Sequence, residues 1–232
     1  MRKMVGFLGV ALLTGVMTFV PVGPASAAPG DFVCNGTFNG LYVNGSVTVP
    51  NAAVCFLANS HVTGSITVFP GGFLDQLDGS YVGGNVVGVN PGDFDVRSTT
   101  IKGAINVDGG TGGGSPNMVF CSNSIGNGVI LQHIAVTINF GDTSHTAVNA
   151  VAPCTGSGGN TVSGSIQVAD NTGTPIRVEG NSFSGGGTIT GNPAGPILSK
   201  NVFKGLLACS NNGAGVTGSG NAFPPGSSCP NL

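Results

Sequence analysis

Residues 43–49 read VNGSVTV. The same seven positions return as VTGSITV at 62–68, IKGAINV at 101–107 and VSGSIQV at 162–168. In each copy apolar residues hold alternate positions at the end, the pattern of a strand with one face buried. A Gly at the third position of each copy marks a bend at a fixed place. One strand rewritten along a chain, with no helical segment between copies, is the signature of a solenoid.

Working outward, the first apolar residue of the motif forms a column: Val43, Val62, Val82, Ile101, Ile125, Val162, Phe183, Phe203 and Phe223. Its steps are 19, 20, 19, 24, 37, 21, 20 and 20 residues. A leucine-rich repeat needs Leu at helical spacing, and Gly and β-branched residues disfavour helix here. A propeller blade needs about 40 residues. The expected fold is therefore all-β: a single-stranded right-handed parallel β-helix of about nine to ten rungs, with roughly 20 residues per rung.

Two residues before the column stand Ser60, Ser80, Thr99, Asn123, Asn160, Asn181, Asn201 and Asn221. Asn tolerates left-handed backbone at a corner, and stacked amides can hydrogen-bond from rung to rung. In GNSFSG, 180–185, the expectation is Asn181 for the corner, Phe183 for the core and Gly185 for the next bend. Phe183, Phe203 and Phe223 are expected to stack inside.

The stacked N-x-F-x-G rungs, from roughly Gly40 to Phe223, resemble the right-handed parallel β-helix superfamily with the pectate-lyase-like fold. Within it the chain is similar to small secreted β-helix proteins of actinobacteria. The resemblance implies the fold and no particular activity, because enzymes, adhesins and spacers share it. Polysaccharide lyases of this fold use Ca²⁺-binding acids with a basic proton acceptor. Polygalacturonase-type hydrolases carry N-T-D, D-D, G-H-G and R-I-K motifs. This chain has Asn171-Thr172-Gly173 and none of the others, which argues against that hydrolase family.

Residues 1–27 read as a secretory signal: Arg2 and Lys3, an apolar run to Val20, then Ala25-Ser26-Ala27 as cleavage site. Residues 28–232 form the β-helix domain, with an irregular rung or an insertion at about 126–160. After cleavage, five basic residues against nine acidic leave a net charge of −4. Without a basic patch, nucleic acid is excluded as an expected partner, and no later segment is apolar enough to insert in a membrane. Six Cys in an exported chain read as disulfides. Cys209 and Cys229 each follow a column Phe by six residues, and Cys34 and Cys55 lie 21 apart. One rung separates each pair, within disulfide reach. Cys121 with Cys154 completes the expected set and brackets the irregular region.

The chemistry-bearing constellation is GGFLDQLDGS, 71–80, followed one rung later by PGDFDVRSTT, 91–100. In an extended DFDVR, Asp93, Asp95 and Arg97 share a face, while Phe94 and Val96 point inward. Asp78 and Arg97 each precede their column residue by four, so they are expected to stack as an ion pair. Asp75 falls near Asp93 and Asp95. Such carboxylates can bind Ca²⁺ or act as an acid–base pair on a glycoside. No other cofactor is expected. His133 and His145 with Asp142 form a weaker candidate metal set. His61 is expected to point outward. Trp is absent and the Tyr are only Tyr42 and Tyr81, a poor complement for stacking on sugars.

The expected function is non-catalytic: a secreted, extracellular, monomeric structural or interaction protein, with extracellular polysaccharide or a cell-surface component as partner. The alternative is a polysaccharide lyase-like enzyme using the patch from Asp75 to Arg97.

Overall fold

The computed structural model describes residues 30–110, 117–141, 158–229 and 232. They form three parallel sheets stacked as a β-solenoid of about eight turns, with no helix among the described residues. Each turn visits the sheets in a fixed order. A two-residue strand such as Tyr42–Val43 leads, across a Gly bend, to a longer strand such as Val47–Val49, and then to a third such as Val54–Ala58. These strands build an eight-stranded corner sheet, a nine-stranded sheet and an eight-stranded acidic sheet, all paired in parallel.

The sequence column is the inward wall of the corner sheet. Val43, Val62, Val82, Ile101, Ile125, Val162, Phe183 and Phe203 follow one another in register, all buried. The ninth member, Phe223, follows a lone bridge between Val202 and Ala222 and is only partly buried. The stack of turns therefore ends near the eighth column residue, short of the nine to ten rungs expected. The 37-residue step is a single turn, because Ser124 and Thr161 are register neighbours. Its extra residues lie between Gly141 and Gly158, outside the described residues.

Why this chain turns where it does is visible in its backbone. Left-handed φ recurs in two columns. One comprises Asn59, Ser98, Ser122 and Lys200, with Gly40, Gly79, Gly180 and Gly220; the other comprises Ala52, Asn90, His133, Asp170 and Asn211, with Gly71, Gly109 and Gly191. The expected corner role of the Asn column is thus displaced by one: the preceding residue takes the left-handed backbone. The Asn residues themselves form the amide ladder. Asn160 donates its backbone N–H and its side-chain amide to Asn181 Oδ1, at 2.8 and 3.0 Å, and Asn181 donates the same way to Asn201 Oδ1, at 3.0 Å each. The side-chain amide of Asn181 also reaches the Phe140 carbonyl at 2.9 Å. In the early turns hydroxyls take the place of the amide oxygens: Ser80 Oγ accepts the Ser60 N–H and Thr99 Oγ1 the Ser80 N–H, while the Thr99 N–H already donates to Asn123 Oδ1. The ladder lets buried corner backbone find partners where no strand supplies them.

The bend glycines are required by close approach. A Cβ on Gly185 would stand 2.9 Å from the carbonyl carbon of Gly164 one turn below, nearer than side chains come.

From Phe94 onward the core carries a continuous stack of aromatic rings that changes wall. Phe94, Phe120 and Phe140 hang from the acidic sheet, with centroids 5.8 and 5.6 Å apart. Val178 follows Phe140 in register, and the aromatic then passes to Phe183 and Phe203 on the corner sheet, 4.7 Å apart and stacked. Where one wall gains a ring the other carries a smaller side chain, which keeps the interior filled at constant width. The disulfides Cys34–Cys55 and Cys209–Cys229 are present, with Cα separations of 5.5 and 4.8 Å. Cys121 is also disulfide-bonded; its expected partner, Cys154, lies outside the described residues, as do residues 1–29 of the expected signal.

Candidate functional site

The acidic patch sits on the outer face of the acidic sheet, across the neighbouring strands Phe73–Asp78 and Asp93–Arg97. Phe94 and Val96 are fully buried, so Asp93, Asp95 and Arg97 share the outer face as expected. The two strands pair Asp93 with Phe73 and Phe94 with Leu74. The register then shifts, so that Val96 meets Leu77 and Arg97 meets Asp78. The same shift occurs against the strand below. Asp75 therefore lies at a β-bulge, which bends a strand and re-aims its side chains. A trace of the bulge is legible in the sequence: the core residues Leu74 and Leu77 are three apart, whereas Phe94 and Val96 are two apart.

The bulge decides which groups meet. Asp78 and Arg97 are stacked in register, but the guanidinium of Arg97 grips Asp95. Its Nε donates to Asp95 Oδ1 at 2.7 Å, and Nη2 donates to Oδ2. The expected Asp78–Arg97 ion pair is thus replaced by Asp95–Arg97. The physical reason is burial. Asp95 is only 5 % exposed, and a desolvated carboxylate needs a cation far more than a partly hydrated one does. Burial still pushes the Asp95 carboxyl up, against the lowering pull of Arg97.

Asp93 is the most perturbed group. Its carboxyl is pushed up from 3.8 to about 7, first by burial, then by the nearby charges of Asp75 and Asp95 and a hydrogen bond with Asp75. The Phe94 N–H donates to Asp93 Oδ1 at 2.7 Å and opposes the rise. The Phe73 ring lies over Gly92, immediately before Asp93, and adds apolar cover. Asp75 and Asp93 thus form a carboxyl–carboxylate pair able to hold one proton near neutrality, the property wanted of an acid–base couple. Among the described residues no group of three or more His, Cys, Asp or Glu is placed to hold a metal ion. The patch is arranged as a proton-sharing pair beside an ion pair.

Of the weaker candidate metal set only His133 is among the described residues; Asp142 and His145 lie outside them. The His133 Nδ1 lies 2.7 Å from Asp108 Oδ1, on an exposed corner. That contact raises the His133 pKa and lowers that of Asp108.

Three features escaped the sequence reading. A second amide ladder runs through Asn171, Asn192 and Asn212, signalled by Asn at steps of 21 and 20. Outward-facing Tyr42, His61 and Tyr81 stack with centroids 5.1 and 4.5 Å apart and planes within 17°. The His61 ring is covered on both faces by the two Tyr rings. Third, a shallow groove crosses the outer face of the nine-stranded sheet, between Ala104 and Leu206.

These features define a disulfide-bonded parallel β-solenoid carrying an acidic outer patch. Comparison with family models, characterised proteins and solved structures returned no match.

Proposed function

We propose that the protein is a secreted, non-catalytic β-solenoid that acts as a rigid structural or interaction module at the cell surface or in the medium. The observation that carries this reading is where its buried polar groups go. Asn123, Asn160, Asn171, Asn181, Asn192 and Asn201 are almost fully buried and bonded to the turns above and below. Their chemistry is committed to holding one turn on the next. Disulfides join neighbouring turns near each end of the described stack, consistent with an extracellular setting. The likeness to the pectate-lyase-like superfamily, and to small actinobacterial members of it, belongs to this reading, as do a monomeric state and a polysaccharide or cell-surface partner.

A second reading is favoured by one observation, the Asp75–Asp93 pair with Asp93 titrating near neutrality. It makes the patch of Asp75, Asp78, Asp93, Asp95 and Arg97 a polysaccharide lyase-like site. Incubation of residues 28–232 with a panel of acidic polysaccharides separates the two. The first reading expects no unsaturated product. Turnover that disappears in Asp93→Asn would replace it with the second.

A further inference from the structure

The two ends of the solenoid are finished differently. At the upper end, the last strand of the nine-stranded sheet, Leu207–Ser210, has its outer main chain occupied. Ser227 Oγ accepts the Leu207 N–H at 3.1 Å, and the Ser228 N–H donates to the Leu207 carbonyl at 2.9 Å. Ser228 Oγ accepts the Cys209 N–H at 3.4 Å. The Cys209–Cys229 disulfide holds this segment in place, and its Pro224 and Pro225 present no N–H to a neighbour.

At the lower end, Phe32–Val33, Gly36–Asn39 and Tyr42–Val43 are the outermost strands of the three sheets. The N–H groups of Phe32 and Cys34 donate upward, to the carbonyls of Ser46 and Thr48. Val33, between them, therefore turns its own N–H and C=O to the open side. Gly40 donates upward to the Ala58 carbonyl, so by the same alternation Thr37 and Asn39 also face the open side. The core is open here too. Phe32 and Phe38, in register with buried Val47 and Leu57, pack edge to face at 5.0 Å and are only partly covered, as is Leu41. From Gly30 to Val49 the chain has no Pro, Lys or Arg, and its one charge, Asp31, accepts the Ser46 N–H at 3.1 Å. The devices that keep sheet edges apart are missing from this turn. On the secreted reading only Ala28 and Pro29 precede Gly30, about 7 Å of chain at most, too little for a capping turn.

The shape of the end selects its partner. It is a ramp that rises about 4.8 Å per turn, with Gly36–Asn39 midway in height between Phe32–Val33 and Tyr42–Val43. A two-fold axis through Gly36–Asn39 sets a second ramp against the first at constant separation. Where one copy stands forward at Phe32–Val33, the other stands back by the same amount at Tyr42–Val43. The two Gly36–Asn39 strands then run antiparallel, with Thr37 opposite Asn39 of the partner subunit and the Phe38 rings meeting at the axis. Head-to-tail growth is barred by the finished upper end, so the contact closes as a pair. We infer that the N-terminal end of the solenoid docks on the same end of a second copy of this chain. The end is only the cross-section of one turn, well under the roughly 800 Å² per side of a stable interface. Dilute chains therefore stay monomeric and pair as they are concentrated. The inference goes beyond the interaction-module reading, which does not depend on it.

The test is sedimentation equilibrium of residues 28–232 from about 1 to about 200 μM, the span in which small interfaces associate. The mass should rise from monomer to dimer and stop there. Thr37→Pro removes an outward N–H from an edge strand and should weaken pairing about tenfold or more. Thr37→Ala keeps that N–H and should pair as the parent does. A small folded domain fused ahead of residue 28 should abolish pairing, and the same domain fused after residue 232 should leave it intact. A monomer at every concentration overturns the inference. So does growth past the dimer, pairing that survives the N-terminal fusion, or a Thr37→Pro variant of native melting temperature that pairs like the parent. If Thr37→Pro does not fold, the two fusions decide. The product-release assay is independent of these results.

Discussion

Replacing Asp93 by Asn should stabilise the protein above neutral pH and leave it nearly unchanged in mild acid. In the native state the Asp93 carboxyl holds its proton up to about 7, against 3.8 in an ordinary aspartate. Its folded pKa is raised, so the stability it contributes is fully present below pH 3.8 and is lost as pH rises through 7. Between those values the unfolded chain gives up the proton first, and each pH unit favours unfolding by about 1.36 kcal/mol. The interval sets a ceiling of about 4 kcal/mol. Asp93 is partly exposed, and solvent screening reduces the figure to about 1–2 kcal/mol. Asn has the shape of the protonated acid. It still accepts from the Phe94 N–H, and its NH₂ can donate to Asp75. At pH 4 the two proteins should therefore unfold together. At pH 8 the variant should melt about 3–6 °C higher, at about 2–4 °C per kcal/mol for a domain of this size. Thermal unfolding followed by circular dichroism from pH 4 to 8, at constant ionic strength, reads this directly. Curves that run parallel across the whole range, or a variant less stable at pH 8, would refute the carboxyl–carboxylate pair.

Asn181→Leu removes an amide that serves the turns above and below: it takes away the acceptor of the Asn160 N–H and the side-chain donor to the Phe140 carbonyl and to Asn201 Oδ1, which keeps only the backbone N–H of residue 181. It should cost about 3 kcal/mol or more by denaturant unfolding, whereas Asn44→Ala on the surface should stay within about 0.5 kcal/mol. Phe183→Ala opens a cavity between Phe140 and Phe203 and should cost about 3–5 kcal/mol in the same assay. Non-reducing peptide mapping should link Cys34 to Cys55 and Cys209 to Cys229. Removing either loop of about 20 residues by Cys→Ala pairs should lower stability by about 3 kcal/mol. Ca²⁺ should move the melting temperature no further than Mg²⁺ at matched ionic strength; a calcium-specific rise lost in Asp93→Asn would establish a cation site there.

The sequence by itself determined the solenoid. Period-2 alternation chooses the buried face, and recurrence about every 20 residues stacks like on like. Together they place Val43 above nothing but its own kind, lay Cys34 over Cys55, and align Asn160, Asn181 and Asn201 into a ladder. Asp93, Asp95 and Arg97 had to share a face once DFDVR was a strand. All of this depends only on backbone geometry that repeats.

What tertiary structure alone decided is where the repetition is broken and which side chains reach across it. The bulge at Asp75 shifts the register by one residue. Arg97 then has two carboxylates within reach, Asp78 across the strand and Asp95 on its own, and takes Asp95 because burial makes that charge the more expensive to leave unpaired. The left-handed corner falls one residue before the Asn, since an Asn that donates to the turns on either side must keep its amide along the stack. The aromatic stack crosses from Phe140 to Phe183 because the core conserves volume per turn, a constraint on all three walls together. Such choices turn on burial and side-chain reach between turns, which no single stretch of the chain contains.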